Sequence, residues 1–88
     1  MSKLIVKMNP VSSTEIFVVK SENEMEKISQ VQMPLDMMKF LANYIKDNKE
    51  STEVIFIGPD DYIDPWITEV NQFEFTKAHK LDKGRIND

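Results

Sequence analysis

The chain is poor in the residues that build several common kinds of functional site. Among its 88 residues there is no cysteine, two glycines and one histidine. The absence of cysteine excludes disulfides and thiolate metal sites. Gly58 and Gly84 are too few for a glycine-rich phosphate loop. His79 has no serine or cysteine partner implied by spacing, so we predict no catalytic role for it.

Long apolar runs are also missing. The N-terminal run Leu4-Ile5-Val6 is too short for a signal peptide, and no stretch approaches the roughly 20 apolar residues of a membrane span. We therefore expect a soluble, cytoplasmic protein with no membrane association. A length of 88 residues supports one domain, without room for a large substrate cavity or a reason to expect a cofactor.

The net charge of −4 is spread unevenly along the sequence. Residues 60–74 contain carboxylates and no basic side chain: Asp60, Asp61, Asp64, Glu69 and Glu74. Residues 77–88 are richer in basic side chains: Lys77, Lys80, Lys83 and Arg85. We predict a compact domain over residues 1–76 and a flexible basic tail over residues 77–88. An acidic body repels a phosphate backbone, which disfavours nucleic-acid binding unless the tail provides it.

The first third of the chain shows strand patterns. Apolar and β-branched clusters predict strands at Lys3 to Met8 and at Glu15 to Lys20, joined as a hairpin by turn residues that include Asn9-Pro10. Residues 25–33 mix polar and apolar side chains, which favours an edge strand. A helix that begins at Ser21 is the alternative, because Glu24 stands three residues later as in a capping box.

The remaining two thirds alternate helix and strand. Apolar residues at three- and four-residue spacing predict a helix from Pro34 to Asn48. The unbroken run Val54 to Ile57 indicates a strand covered on both faces, in the middle of the sheet, and Gly58-Pro59 ends it. Asp64-Pro65 predicts the start of a helix that reaches about Gln72. Alternation over residues 73–77 predicts a last short strand.

These elements predict an α+β or α/β fold of order βββαβαβ, with helices packed on a mixed sheet. Right-handed crossovers should place the strand at Val54 to Ile57 parallel to the first strand. In sheets of this kind, ligands usually meet the carboxyl ends of parallel strands, here the segment that follows Ile57.

The element order resembles the core of the ribonuclease H-like superfold, and the first hairpin, residues 5–19, is similar to that of RuvC-type resolvases. The resemblance implies a metal-dependent nuclease, whose first strand would end in a metal-binding aspartate. Asn9 stands at that position, and Val11 and Glu15 stand where the family has glycines. The resemblance therefore implies at most a reduced metal site, with Asp60, Asp61 or Asp64 as oxygen ligands.

The segment after Ile57 is the strongest candidate binding site. Its members are three carboxylates and two aromatic side chains: Asp60, Asp61, Tyr62, Asp64 and Trp66. Alternatively, these residues have structural roles. The carboxylates then belong to a turn and a helix cap, and the aromatic side chains pack in the core. Aromatic residues are also enriched at interface hot spots, and an acidic rim complements a basic partner.

We therefore expect a small non-enzymatic module that binds or inhibits another protein, in the manner of viral accessory proteins. A homodimer is a further expectation, because the third strand exposes an edge. Two alternatives stay open. One is a reduced divalent-metal nuclease of the ribonuclease H-like type. The other is a weak nucleic-acid binder that uses Lys77, Lys80, Lys83 and Arg85.

Overall fold

A computed structural model describes residues 2–48 and 50–81 of the chain. The elements follow the predicted order βββαβαβ. The strands are β1 (Ser2–Met8), β2 (Thr14–Ser21), β3 (Glu24–Val31), β4 (Thr52–Ile57) and β5 (Thr76–Lys80), and the helices are α1 (Pro34–Asn48) and α2 (Asp60–Val70). No helix in this part of the chain has the length and apolar content needed to cross a bilayer.

The five strands form one mixed sheet in the order β3-β2-β1-β4-β5. The β1-β2 and β2-β3 pairs are antiparallel, whereas β1-β4 and β4-β5 are parallel. The predicted edge strand at residues 25–33 is confirmed as β3, and a helix from Ser21 is wrong. The strand at Val54 to Ile57 is an inner strand parallel to β1, as predicted, but β1 occupies the centre of the sheet.

Helix α1 packs on the sheet through one apolar side. Met37, Leu41 and Ile45 are buried, which is the result expected from their spacing of four residues. Asp36 lies in the first turn and Lys46 in the last turn, where each complements the helix dipole.

Both helices cover the same face of the sheet. One cluster joins Leu4 of β1 and Phe56 of β4 to Leu41 of α1 and Ile63 of α2. Ile55 is only 8 % exposed, yet it lies outside this cluster, because adjacent residues of a strand point to opposite faces. The described residues therefore form two layers, and none of their helices covers the face that contains Ile55. The prediction that the strand at Val54 to Ile57 is covered on both faces was thus wrong for the described residues, because both helices lie on the same side of the sheet.

Helix α2 begins four residues before the predicted start at Asp64. Pro59 occupies the N-cap position with extended backbone, and its carbonyl accepts hydrogen bonds from the amides of Tyr62 and Ile63. Pro65 therefore lies inside the helix, where its missing N–H removes one intrahelical hydrogen bond. The prediction of a helix start at Asp64-Pro65 was wrong, because another proline, Pro59, lies earlier in the sequence and the helix begins directly after it.

The last strand also differs from its prediction. Residues 71–75 form turns, and β5 occupies Thr76–Lys80 rather than residues 73–77. Phe75 has a φ of 56°, a left-handed conformation that no strand residue adopts. Lys77 and Lys80 consequently lie in β5, so the predicted boundary between domain and tail falls too early. Lys83 and Arg85 lie outside the described residues.

Candidate functional site

The segment that contains the predicted binding residues, 60–66, forms the first two turns of α2. Asp60 and Asp61 lie in the first turn, where the helix dipole stabilises negative charge. The side chains of Asp60 and Asp64 are 70 % and 54 % exposed. Asp61 is exposed, and no hydrogen bond or ion pair engages its side chain within the described part of the chain. The carboxylates therefore have a structural role at the helix end and remain accessible to a partner.

Lys80 pairs with two of these carboxylates. Its Nζ lies 3.4 Å from Asp60 Oδ1 and 3.2 Å from Asp64 Oδ1. The hydrogen bond to Asp64, together with the charge of Asp60, raises the pKa of Lys80 above its ordinary value. The sequence did not suggest this contact, because it depends on the position of β5 beside α2. An ammonium group thus occupies the place that a metal ion shared by the two carboxylates would take.

Tyr62 and Trp66 lie one helical turn apart on α2 and are both half-buried. Each packs against the hydrophobic core, as the structural alternative predicts. Asp61 and Glu69 are exposed on the adjacent stripe of the helix. The helix therefore presents partly exposed aromatic rings beside carboxylates. We call this surface the acidic α2 surface, and its members are Asp61, Tyr62, Trp66 and Glu69, whereas Asp60 and Asp64 lie on the side of the helix that faces Lys80.

An open cleft of about 1060 Å³ separates α2 from the end of β5. Asp60, Asp64 and Thr68 line its helix side, and His79 and Lys80 line its strand side. The ends of β1 and β4 border a second cleft, which is lined by Asn9, Ser12, Ser13, Gly58 and Pro59. Asp60 lines the first cleft and not the second, so the structure does not bring Asp60 and Asn9 to one shared cleft.

Asn9 has the contacts of a turn residue. Its Oδ1 accepts a hydrogen bond from the backbone N–H of Val11 at 3.0 Å, and its carbonyl accepts one from the N–H of Ser12 at 3.2 Å. Asparagine commonly holds its own turn in this way. Across the described residues, no group of three histidine, cysteine, aspartate or glutamate side chains is placed to hold a metal ion.

The sheet face opposite the helices contains a histidine–glutamate contact that the sequence did not reveal. His79 Nε2 lies 2.6 Å from Glu53 Oε2, and the two residues belong to the adjacent strands β5 and β4. The hydrogen bond from His79 lowers the pKa of Glu53, and the charge of Lys3 acts in the same direction. His79 therefore links β5 to β4 through its side chain.

Asn71 fixes β5 beside the end of α2. Its Nδ2 donates a hydrogen bond to the carbonyl of Ala78 at 2.9 Å, and its Oδ1 accepts one from the Ala78 N–H at 2.7 Å. The side-chain amide therefore satisfies both backbone groups of one residue in an edge strand. This contact holds Lys80 and the cleft in place, because Ala78 lies two residues before Lys80.

Comparisons with models of protein families, with curated proteins and with solved structures found no match.

Proposed function

We propose that the chain is a small non-enzymatic module that binds a partner protein, and that the acidic α2 surface makes the contact. The partner presents basic side chains. The observation that carries the proposal is the combination, on one exposed helix, of partly exposed aromatic rings with carboxylates and no basic residue.

The charge of α2 supports a basic partner. Asp61 and Glu69 have no hydrogen bond or ion pair through their side chains in the described part of the chain, so their charge is available for an incoming lysine or arginine. Asp60 and Asp64 share one ammonium group, that of Lys80. The helix surface therefore keeps a negative balance, which speeds association with a positively charged protein.

The aromatic rings support a protein partner in particular. Tyr62 and Trp66 are anchored in the core on one side, so little side-chain entropy is lost when a partner covers the other side. Tyrosine and tryptophan are enriched among the residues that contribute most to binding energy at protein interfaces. The two rings can thus form the centre of a contact whose rim is acidic.

The proposal is tested by co-purification of the tagged chain and its neutralised variant. We expect the double variant D61N/E69Q to bind the specific partner about two- to thirtyfold more weakly, and so to recover less of it, because exposed charge contacts contribute about 0.2–1 kcal/mol each. The matched control is D36N/D47N, which removes two exposed carboxylates from α1. Equal recovery by the three proteins, or a loss in the control alone, would contradict the proposal.

A further inference from the structure

The sheet face that lacks helices forms a continuous surface, which we call the open sheet face. One row of directly paired residues crosses all five strands: Lys27, Phe17, Ile5, Ile55 and His79. Two shorter rows flank it, Lys3-Glu53-Lys77 on one side and Gln30-Glu15-Lys7-Ile57 on the other. Paired residues share a face of the sheet, so these rows describe one surface.

The centre of the open sheet face is apolar. Ile5, Phe17 and Ile57 are half-buried, although none of them belongs to the core cluster or packs against it. Ile55, between Ile5 and His79, is buried by its neighbours on this face. An apolar strip of this kind is incompletely covered by the described residues, and covering it removes further apolar area from water.

The rim of the open sheet face has a positive balance, in contrast to the chain as a whole. Glu15 bonds to Lys27 at 3.0 Å, and Glu53 bonds to His79 at 2.6 Å. Lys3, Lys7 and Lys77 are exposed and have no carboxylate within ion-pair distance in the described structure. Three lysines thus surround the apolar strip of a chain with a net charge of −4.

The contacts of Phe17 favour a protein over single-stranded nucleic acid. Nucleic acids bind sheet faces mainly by stacking bases on exposed aromatic rings. Phe17 is the single phenylalanine, tyrosine or tryptophan in the paired rows, and the Nζ of Lys7 lies 6.0 Å from its ring centroid. One phenylalanine ring with an ammonium group near it offers little area for stacking bases. An aliphatic centre with a charged rim is instead typical of protein interfaces.

We propose that the open sheet face binds an amphipathic helix of a partner protein, with an apolar stripe flanked by carboxylates. The apolar stripe would cover Ile5, Ile55 and Ile57, and the carboxylates would pair with lysines of the rim. Parallel strands such as β1, β4 and β5 are normally covered by helices on both faces, and residues 2–48 and 50–81 supply helices for one. The proposal goes beyond the proposed function, because the acidic α2 surface belongs to the other layer.

The test uses the full chain with labelled isoleucine methyl groups, observed by NMR. The probe is a synthetic helical peptide of about 20 residues, with leucines on one face and glutamates beside them. We expect saturable shifts at Ile5, Ile55 and Ile57, and little change at the core residues Ile16 and Ile63. The core methyls are an internal control within the same sample.

Two matched variants test the role of charge. The variant K3Q/K77Q should bind the acidic peptide about three- to tenfold more weakly. The variant K39Q/K46Q removes two exposed lysines from α1 and should bind it as the unmodified chain does. Melting temperatures establish that each variant is folded before its affinity is compared.

Four results would overturn the proposal. The first is the absence of a saturable shift at the open-face methyls. The second is equal or tighter binding of a peptide with lysine in place of glutamate. The third is a preference of these methyls for oligothymidylate, which would assign the face to nucleic acid. The fourth is a concentration-dependent shift of the same methyls without peptide, which would assign the face to a second copy of the chain.

Discussion

Asn71 pairs with both backbone groups of Ala78, at 2.7 and 2.9 Å, and so closes part of the outer edge of β5. Exposed strand edges invite pairing with other chains, and natural sheets commonly cover them. Here a single side-chain amide does so. The same contact joins the end of α2 to β5 and thereby fixes the cleft that Asp60, Asp64 and Lys80 line.

Substitution of Asn71 by alanine is expected to lower the free energy of unfolding by about 1–3 kcal/mol, because two backbone groups lose their partner. Urea unfolding measures the change. The variant N71D is the matched control, since it keeps the acceptor for the Ala78 N–H and loses the donor to the carbonyl. A fully stable N71A variant would show that the two hydrogen bonds contribute little.

Substitution of Gly58 by alanine is expected to destabilise the corner after β4. A Cβ at this position would lie 2.6 Å from the carbonyl oxygen of Met8 and 2.9 Å from Cγ2 of Ile63. Relief of such overlap requires backbone movement, and overpacking of this kind costs about 1–3 kcal/mol. The measurement is the denaturation midpoint, with P59A as the neighbouring control. An unchanged midpoint for G58A would mean that β1 and α2 do not constrain this glycine.

Glu53 should make the stability of the chain depend on pH in the acid range. Its pKa in the folded chain lies below the ordinary value of 4.5, because it accepts a hydrogen bond from His79. The stabilisation is therefore present above that value and is lost as the pH falls through the lower folded pKa. The variant E53Q should show a weaker loss of stability on acidification than the unmodified chain, in urea unfolding at a series of acid pH values. Parallel profiles for the two proteins would argue against this contact.

Addition of Mg²⁺ or Mn²⁺ should leave the melting temperature unchanged. Lys80 lies between Asp60 and Asp64, and Asn9 is engaged in its own turn. A specific ion bound only by the folded chain would raise the melting temperature with its concentration. A saturable rise that D60N or D64N abolishes would favour the reduced nuclease over a binding module.

The sequence predicted the parts of the fold that depend on local periodicity. The spacing of Met37, Leu41 and Ile45 specified α1, and the run Val54 to Ile57 specified β4. The start of α2 was predicted too late. Asp64-Pro65 is typical of a helix start, whereas the helix begins at Asp60, with Pro59 as its N-cap. The position of β5 was misplaced because the alternation at residues 73–77 continues through Phe75, whose backbone is left-handed.

The candidate site was predictable only in part, since its contacts join distant segments. Asp60 and Asp64 are near in sequence, but the predicted helix began at Asp64 and left Asp60 in the loop before it, whereas both lie on α2. Lys80 reaches them only because β5 lies next to β4, and Glu53 meets His79 for the same reason. Right-handed crossovers put both helices on one face only when the strand order β3-β2-β1-β4-β5 is known, and no local pattern gave that order, so the open sheet face was not predicted.

Trp66, the chain's only tryptophan, lies on the acidic α2 surface and should report directly when the proposed partner protein covers it. The measurement is the fluorescence of Trp66 during titration with the partner recovered by co-purification. We predict a saturable change in the unmodified chain and in D36N/D47N, and a weaker affinity in D61N/E69Q. A Trp66 signal that is unaffected by a saturating partner, or that changes with equal affinity in all three proteins, would contradict a contact through the acidic α2 surface.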